Sequence, residues 1–118
     1  MSKHTPGEWF TSRPNRTIYI ESRIGGGMLQ EVAACGPTEA TEQQEANAQL
    51  IAAAPELLEA CKTMAEWFKR EHEGFPNAGQ VRTTPAGEAA WRKWWEENLR
   101  LCGLAKTQAN AAIAKATE

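Results

Sequence analysis

The chain has 118 residues, 42 % of them hydrophobic and 24 % charged, with a formal net charge of −2. That length allows one modest core, and the balance is that of a globular chain rather than a disordered one. No apolar run approaches the roughly 18 residues that span a bilayer, and the opening Met1-Ser2-Lys3-His4-Thr5-Pro6-Gly7 lacks the apolar segment of a signal peptide, so the expected location is the cytoplasm of a cell.

Charge is unevenly spread. Residues 38–73 carry eight Glu against three Lys or Arg, whereas residues 1–37 come to +1 and residues 74–118 to +2. A broad grip on duplex nucleic acid is disfavoured, because counterion release needs clustered basic side chains. All 15 acidic residues are glutamate, which removes aspartate-based triads and the usual aspartate ligands of magnesium-dependent phosphoryl transfer. Cys35, Cys61 and Cys102 are widely spaced and His4 and His72 stand alone, so the sequence offers no metal site and calls for no cofactor.

In chain order, His4-Thr5-Pro6-Gly7-Glu8-Trp9 opens with a Pro-Gly turn. Thr17–Ser22 is rich in β-branched and aromatic residues, with Ile18 and Ile20 on one face. Gly25-Gly26-Gly27 then separates it from a second strand-like run, Met28–Cys35, so residues 8–35 read as a small antiparallel hairpin or meander. A phosphate-cradling use of the glycines would need a helix after them and a P-loop lysine, and neither is present.

A helix is expected from about residue 40, with Thr41 and Gln44 spaced as a capping box. Pro55 interrupts it, which predicts a kink or a break into two nearly collinear segments, 40–53 and 55–72. Leu50, Ala54, Leu57, Leu58, Cys61, Met64, Ala65 and Phe68 keep helical spacing across the proline and form the expected core stripe. Asn47 extends that stripe with an amide. Residues 73–83 form a connection rich in turn residues, after which Thr84-Pro85 signals the start of a last helix, about 85–115. Gly103 weakens the middle of that helix.

The expected architecture is therefore α+β: one domain, 1–118, with a β unit (1–37) packed on a helical hairpin (38–118). Trp91, Trp94 and Trp95 can pack on the first helices, or offer indoles to a nucleotide ring while Arg92, Lys93 and Arg100 meet phosphates. Trp95 is the one nearest the edge of that face. Asn47 either ties down the N-terminal turn or presents paired donors and acceptors to a ligand. His4 could serve as a base, but no partner in reach is identifiable, so no catalytic residue is assigned.

Two motifs together, His4-Thr5-Pro6-Gly7-Glu8-Trp9 and Glu45-Ala46-Asn47-Ala48-Gln49-Leu50-Ile51-Ala52-Ala53-Ala54-Pro55-Glu56-Leu57-Leu58-Glu59-Ala60, resemble a widespread group of small proteins of tailed bacteriophages and prophages. Glu8 departs from the proline usual at its position in that group. The resemblance implies an accessory phage protein in the host cytoplasm that counters bacterial defence. The expected action is non-enzymatic: sequestering a small nucleotide-like signal at His4, Thr5, Gly7, Trp9 and Asn47, with Arg13 or Arg16 at its phosphates. The alternative partner is a host defence protein, blocked by direct contact; single-stranded nucleic acid is a lesser alternative. A homo-oligomer would cover any apolar stripe that the β unit leaves bare.

Overall fold

A computed structural model describes residues 3–75 and 84–118. Three strands, β1 (Trp9–Ser12), β2 (Ile18–Ile24) and β3 (Met28–Cys35), are followed by α1 (Thr41–Ala52), α2 (Ala54–Glu73) and α3 (Pro85–Thr117). The protein is thus α+β, as expected. Its residues gather into two compact units, one of Met1–Leu57 with Ala111–Glu118 and one of Leu58–Asn110.

In the first unit the strands form an antiparallel meander in the order β1-β2-β3. The β2–β3 turn uses Gly26 and Gly27 at φ 79° and 80°, values that a side chain would resist. Val32 is an extra residue in β3, because Ile20 pairs with Ala33 and Glu21 with Glu31. Alternation along β2 puts Ile18, Ile20 and Ser22 on the buried face. Ile18 and Ile20 meet Ala48 and Ala52 of α1, with Trp9, Val32, Ala33, Cys35 and Ile51 packed around them. Each isoleucine buried there contributes about 1.5–3 kcal/mol.

The chain breaks between helices at Ala53, two residues before Pro55. Ala53 donates to Gln49 and accepts from Leu57, so helical bonding bridges the break, while the missing N–H of Pro55 leaves the Ile51 carbonyl without its usual helical donor. The anticipated capping box does not form: Ala40 occupies the cap position and Gln44 turns inward instead. The expected core stripe also requires correction. Ala48, Ala52, Ala53 and Ala60 are buried, whereas Leu50, Leu58 and Phe68 are exposed. Alanine permits close approach of the backbones, so the contact line follows the small residues and leaves the larger ones outside it.

In the second unit α2 and α3 run antiparallel, since Arg70 and Phe75 meet Trp94 while Met64 and Phe68 line a groove with Cys102 and Ala109. Thr84 caps α3 as its sequence indicated, accepting from the Gly87 N–H at 3.0 Å. Gly103 does not interrupt the helix.

Candidate functional site

The N-terminal turn is closed on itself. The Thr5 carbonyl accepts from His4 Nδ1–H at 2.9 Å and from Trp9 Nε1–H at 3.0 Å, and the two rings meet edge to face with centroids 5.8 Å apart. Ser22 Oγ–H donates to the Pro6 carbonyl at 2.5 Å, and Gln30 donates to Thr5 Oγ1. Gly7 has φ 87°, and a Cβ there would lie 2.8 Å from Ser22 Oγ. These contacts tie the turn to β2 and β3.

Asn47 is not the amide of the apolar face; it is exposed. Gln44, one turn earlier and 3 % exposed, takes that place. Its amide donates to the carbonyls of Arg16 (2.7 Å) and Cys35 (2.9 Å), and its oxygen accepts from Arg13 at 3.4 Å. Arg13 also pairs with Glu45 at 3.0 Å. The seven candidate residues therefore fall apart: His4, Thr5, Gly7 and Trp9 share the turn, Arg13 and Arg16 meet Gln44 at the start of α1, and Asn47 joins neither through a hydrogen bond.

Trp9 does line an open cleft of about 450 Å³ in the first unit, together with Phe10, Gln49, Glu8, Lys115 and Glu118. Lys115 is held there by Glu56 at 2.8 Å and Glu8 at 3.6 Å. With its one cation surrounded by carboxylates, this cleft repels anions.

The second unit carries a different cleft, of about 640 Å³, within the roughly 300–1,000 Å³ of small-molecule sites. Phe75 and Trp94, with centroids 5.9 Å apart, form an aromatic wall. Arg70, Lys93 and Arg100 stand around it against Glu96 and Glu97, leaving one positive charge in excess. Arg70 is fixed over Trp94 at 5.8 Å, donating to its carbonyl at 3.2 Å and to Asn98 Oδ1 at 2.6 Å. Asn98 is 1 % exposed and donates in turn to Glu71 at 3.1 Å. Arg100 makes two bonds to Glu97, at 2.6 and 3.0 Å; this bonding outweighs the opposing desolvation and, with the charges of Arg100 and Arg70, holds the Glu97 carboxyl below its ordinary value. Lys93 is exposed and makes no ion pair among the described residues.

Sequence reasoning considered Lys93, Trp94 and Arg100 but missed Arg70 and Asn98. A signal existed for Asn98: it interrupts the apolar spacing Trp91, Trp94, Asn98, Leu101, Ala105 with an amide. The connection at 73–83 was also singled out, and its residues 76–83 lie outside the described ones.

A β-meander seated on one helix, and a pair of long helices with an aromatic cleft rimmed by cations, define a small α+β protein with a ligand-sized cationic cleft. The whole chain, residues 1–118, matches the family model described as Salmonella phage P22 protein Y8K6, and the chain belongs to that family. It is a bacteriophage protein. Neither a curated protein nor a solved structure matches it. No helix among the described residues is long and apolar enough to cross a membrane.

Proposed function

We propose that this phage protein binds and sequesters a small nucleotide-type signal molecule without turning it over, and thereby counters a bacterial defence. The observation that carries this reading is the Arg70–Trp94–Phe75 wall beside Lys93 and Arg100. A nucleotide offers a flat ring and an anionic phosphate, and this cleft offers aromatic surface and cations within one concavity. The cleft of the first unit lacks that combination, because its one lysine is already paired to two glutamates.

Arg70 adds preorganisation. Its guanidinium is positioned by Asn98 and the Trp94 carbonyl before any ligand arrives, so little side-chain ordering is left for the binding step. Lys93, which makes no ion pair among the described residues, can turn to a phosphate.

The test is native mass spectrometry of the full chain after incubation with cyclic dinucleotides and with ADP-ribose derivatives. A retained, chemically unaltered ligand is expected. The absence of any retained mass across both sets contradicts the reading, and a hydrolysed product contradicts its non-enzymatic part.

A further inference from the structure

We propose that a second copy of this chain covers an apolar seam on the helical unit, giving a two-fold homodimer with four helices at its contact. Each helix of this unit carries two adjacent heptad-like seams. On α3, Trp94, Asn98, Leu101 and Ala105 follow steps of three and four and face α2, while Trp91 stacks on Trp95 with ring centroids 6.0 Å apart. Rotated by less than a quarter turn, Trp95, Leu99, Cys102, Lys106 and Ala109 repeat the same steps. On α2, Ala60, Met64 and Trp67 face the hairpin, while Leu58, Cys61, Ala65 and Phe68 form the second line.

The second seams lie on the same side of the hairpin, since Phe68 shares a groove with Cys102, Lys106 and Ala109. Their large side chains are exposed, Leu58 by 42 %, Phe68 by 56 %, Trp95 by 41 % and Leu99 by 56 %, with Cys102 and Ala109 half-buried between them. A helix in a two-helix contact needs one seam, and a second one is the mark of a helix with two neighbours. The hairpin supplies one neighbour to each helix, so two are missing, both expected to present a 3.5-residue apolar repeat. A second hairpin of this sequence, turned by a two-fold axis, provides both at once.

Area points the same way. Large side chains exposed to this degree, with Cys61, Ala65 and the groove between them, present roughly 500 Å² of apolar surface per copy. Two copies would bury about 1,000 Å², the size at which specific association begins, before any rim contacts are counted. Lys106 is the sole charged residue among the seam positions named, and none is acidic. Glu66, Lys93, Glu97 and Arg100 stand off these lines, whereas Lys62 and Lys69 flank the line on α2 and Arg92 flanks the line on α3, which places them at the rim of the contact.

Sedimentation velocity of the full chain tests this. The expected species has twice the 13.0 kDa chain mass, and Leu99→Glu with Phe68→Glu, both at exposed positions, is expected to restore the single-chain mass with an unchanged circular dichroism spectrum. A wild-type chain that stays at single mass into the high-micromolar range overturns the proposal, as does a dimer that survives both substitutions in a folded variant. Should the double variant fail to fold, thiol labelling of the wild type decides. Cys61 and Cys102 are expected to react at least several-fold faster on dilution; a rate independent of concentration overturns the proposal.

Discussion

Arg70 is held over Trp94, its guanidinium carbon 5.8 Å from the ring centroid and its terminal nitrogen bonded to the backbone carbonyl of the same residue. The pairing joins the end of α2 to the first turns of α3 and supplies one wall of the cationic cleft. Its stability depends on a third residue, Asn98, whose amide is shared between Arg70 and Glu71.

Replacing Asn98 by Leu is therefore expected to destabilise the protein by about 1–3 kcal/mol, because the Arg70 donor and the Glu71 acceptor both lose a buried partner. Urea denaturation provides the measurement. The double substitution with Arg70→Met is expected to fall short of the sum of the two single effects, since the residues act as one network.

At the other end of the chain, Gln44→Ala is expected to cost about 1–3 kcal/mol, since the carbonyls of Arg16 and Cys35 lose their donor. Asn47→Ala, one turn away on the exposed side, is expected to stay within about 0.5 kcal/mol of the parent. Equal effects in thermal unfolding of the two variants contradict the assignment of the amides.

Gly7→Ala is expected to lower the melting temperature. The left-handed backbone at φ 87° disfavours a side chain by about 1–2 kcal/mol, and the new Cβ would push aside the Ser22 hydroxyl that holds the Pro6 carbonyl. Ser22→Ala relieves the crowding while losing the hydrogen bond, so Gly7→Ala in that background is expected to do less further harm than in the wild type.

The Glu97–Arg100 pair sets a pH dependence of definite sign. The Glu97 carboxyl titrates lower in the folded chain than in the unfolded one, so the unfolded state binds the proton more readily in acid. Its stabilisation is present above the ordinary carboxylate pKa and is lost as pH falls through the depressed folded value. The guanidinium of Arg100, whose pKa is raised by the same bond, stays charged throughout. The difference in urea midpoint between wild type and Glu97→Gln is expected to shrink as the pH is lowered from 7 into the acid range.

Much of the backbone was legible in the sequence, and the reasons are local. Thr84 and Pro85 carry the start of α3 in their own side-chain chemistry, the alternation Ile18, Ile20 fixes the inner face of β2, and the lost N–H of Pro55 dictates an interruption near it. The facing of the helices was not legible, because a stripe drawn through the largest apolar residues favours Leu50, Leu58 and Phe68. On α1 the contact instead runs through Ala48 and Ala52, whose small side chains let the helix approach the sheet. That rotation also displaced the site: it moved Asn47 to the surface and put Gln44 inside. Arg70 escaped notice because the value of its charge depends on Trp94 and Asn98, 24 and 28 residues further on.

The most direct test of the cationic cleft is calorimetric titration of the full chain with a cyclic dinucleotide and with an ADP-ribose derivative, in wild type and in Lys93→Glu. Lys93 is exposed and unpaired among the described residues, so its substitution leaves the fold intact. Saturable binding of at least one ligand is predicted, weakened at least tenfold by Lys93→Glu and by added salt. Binding that Lys93→Glu leaves unchanged, or no binding of either ligand class, would contradict the assignment.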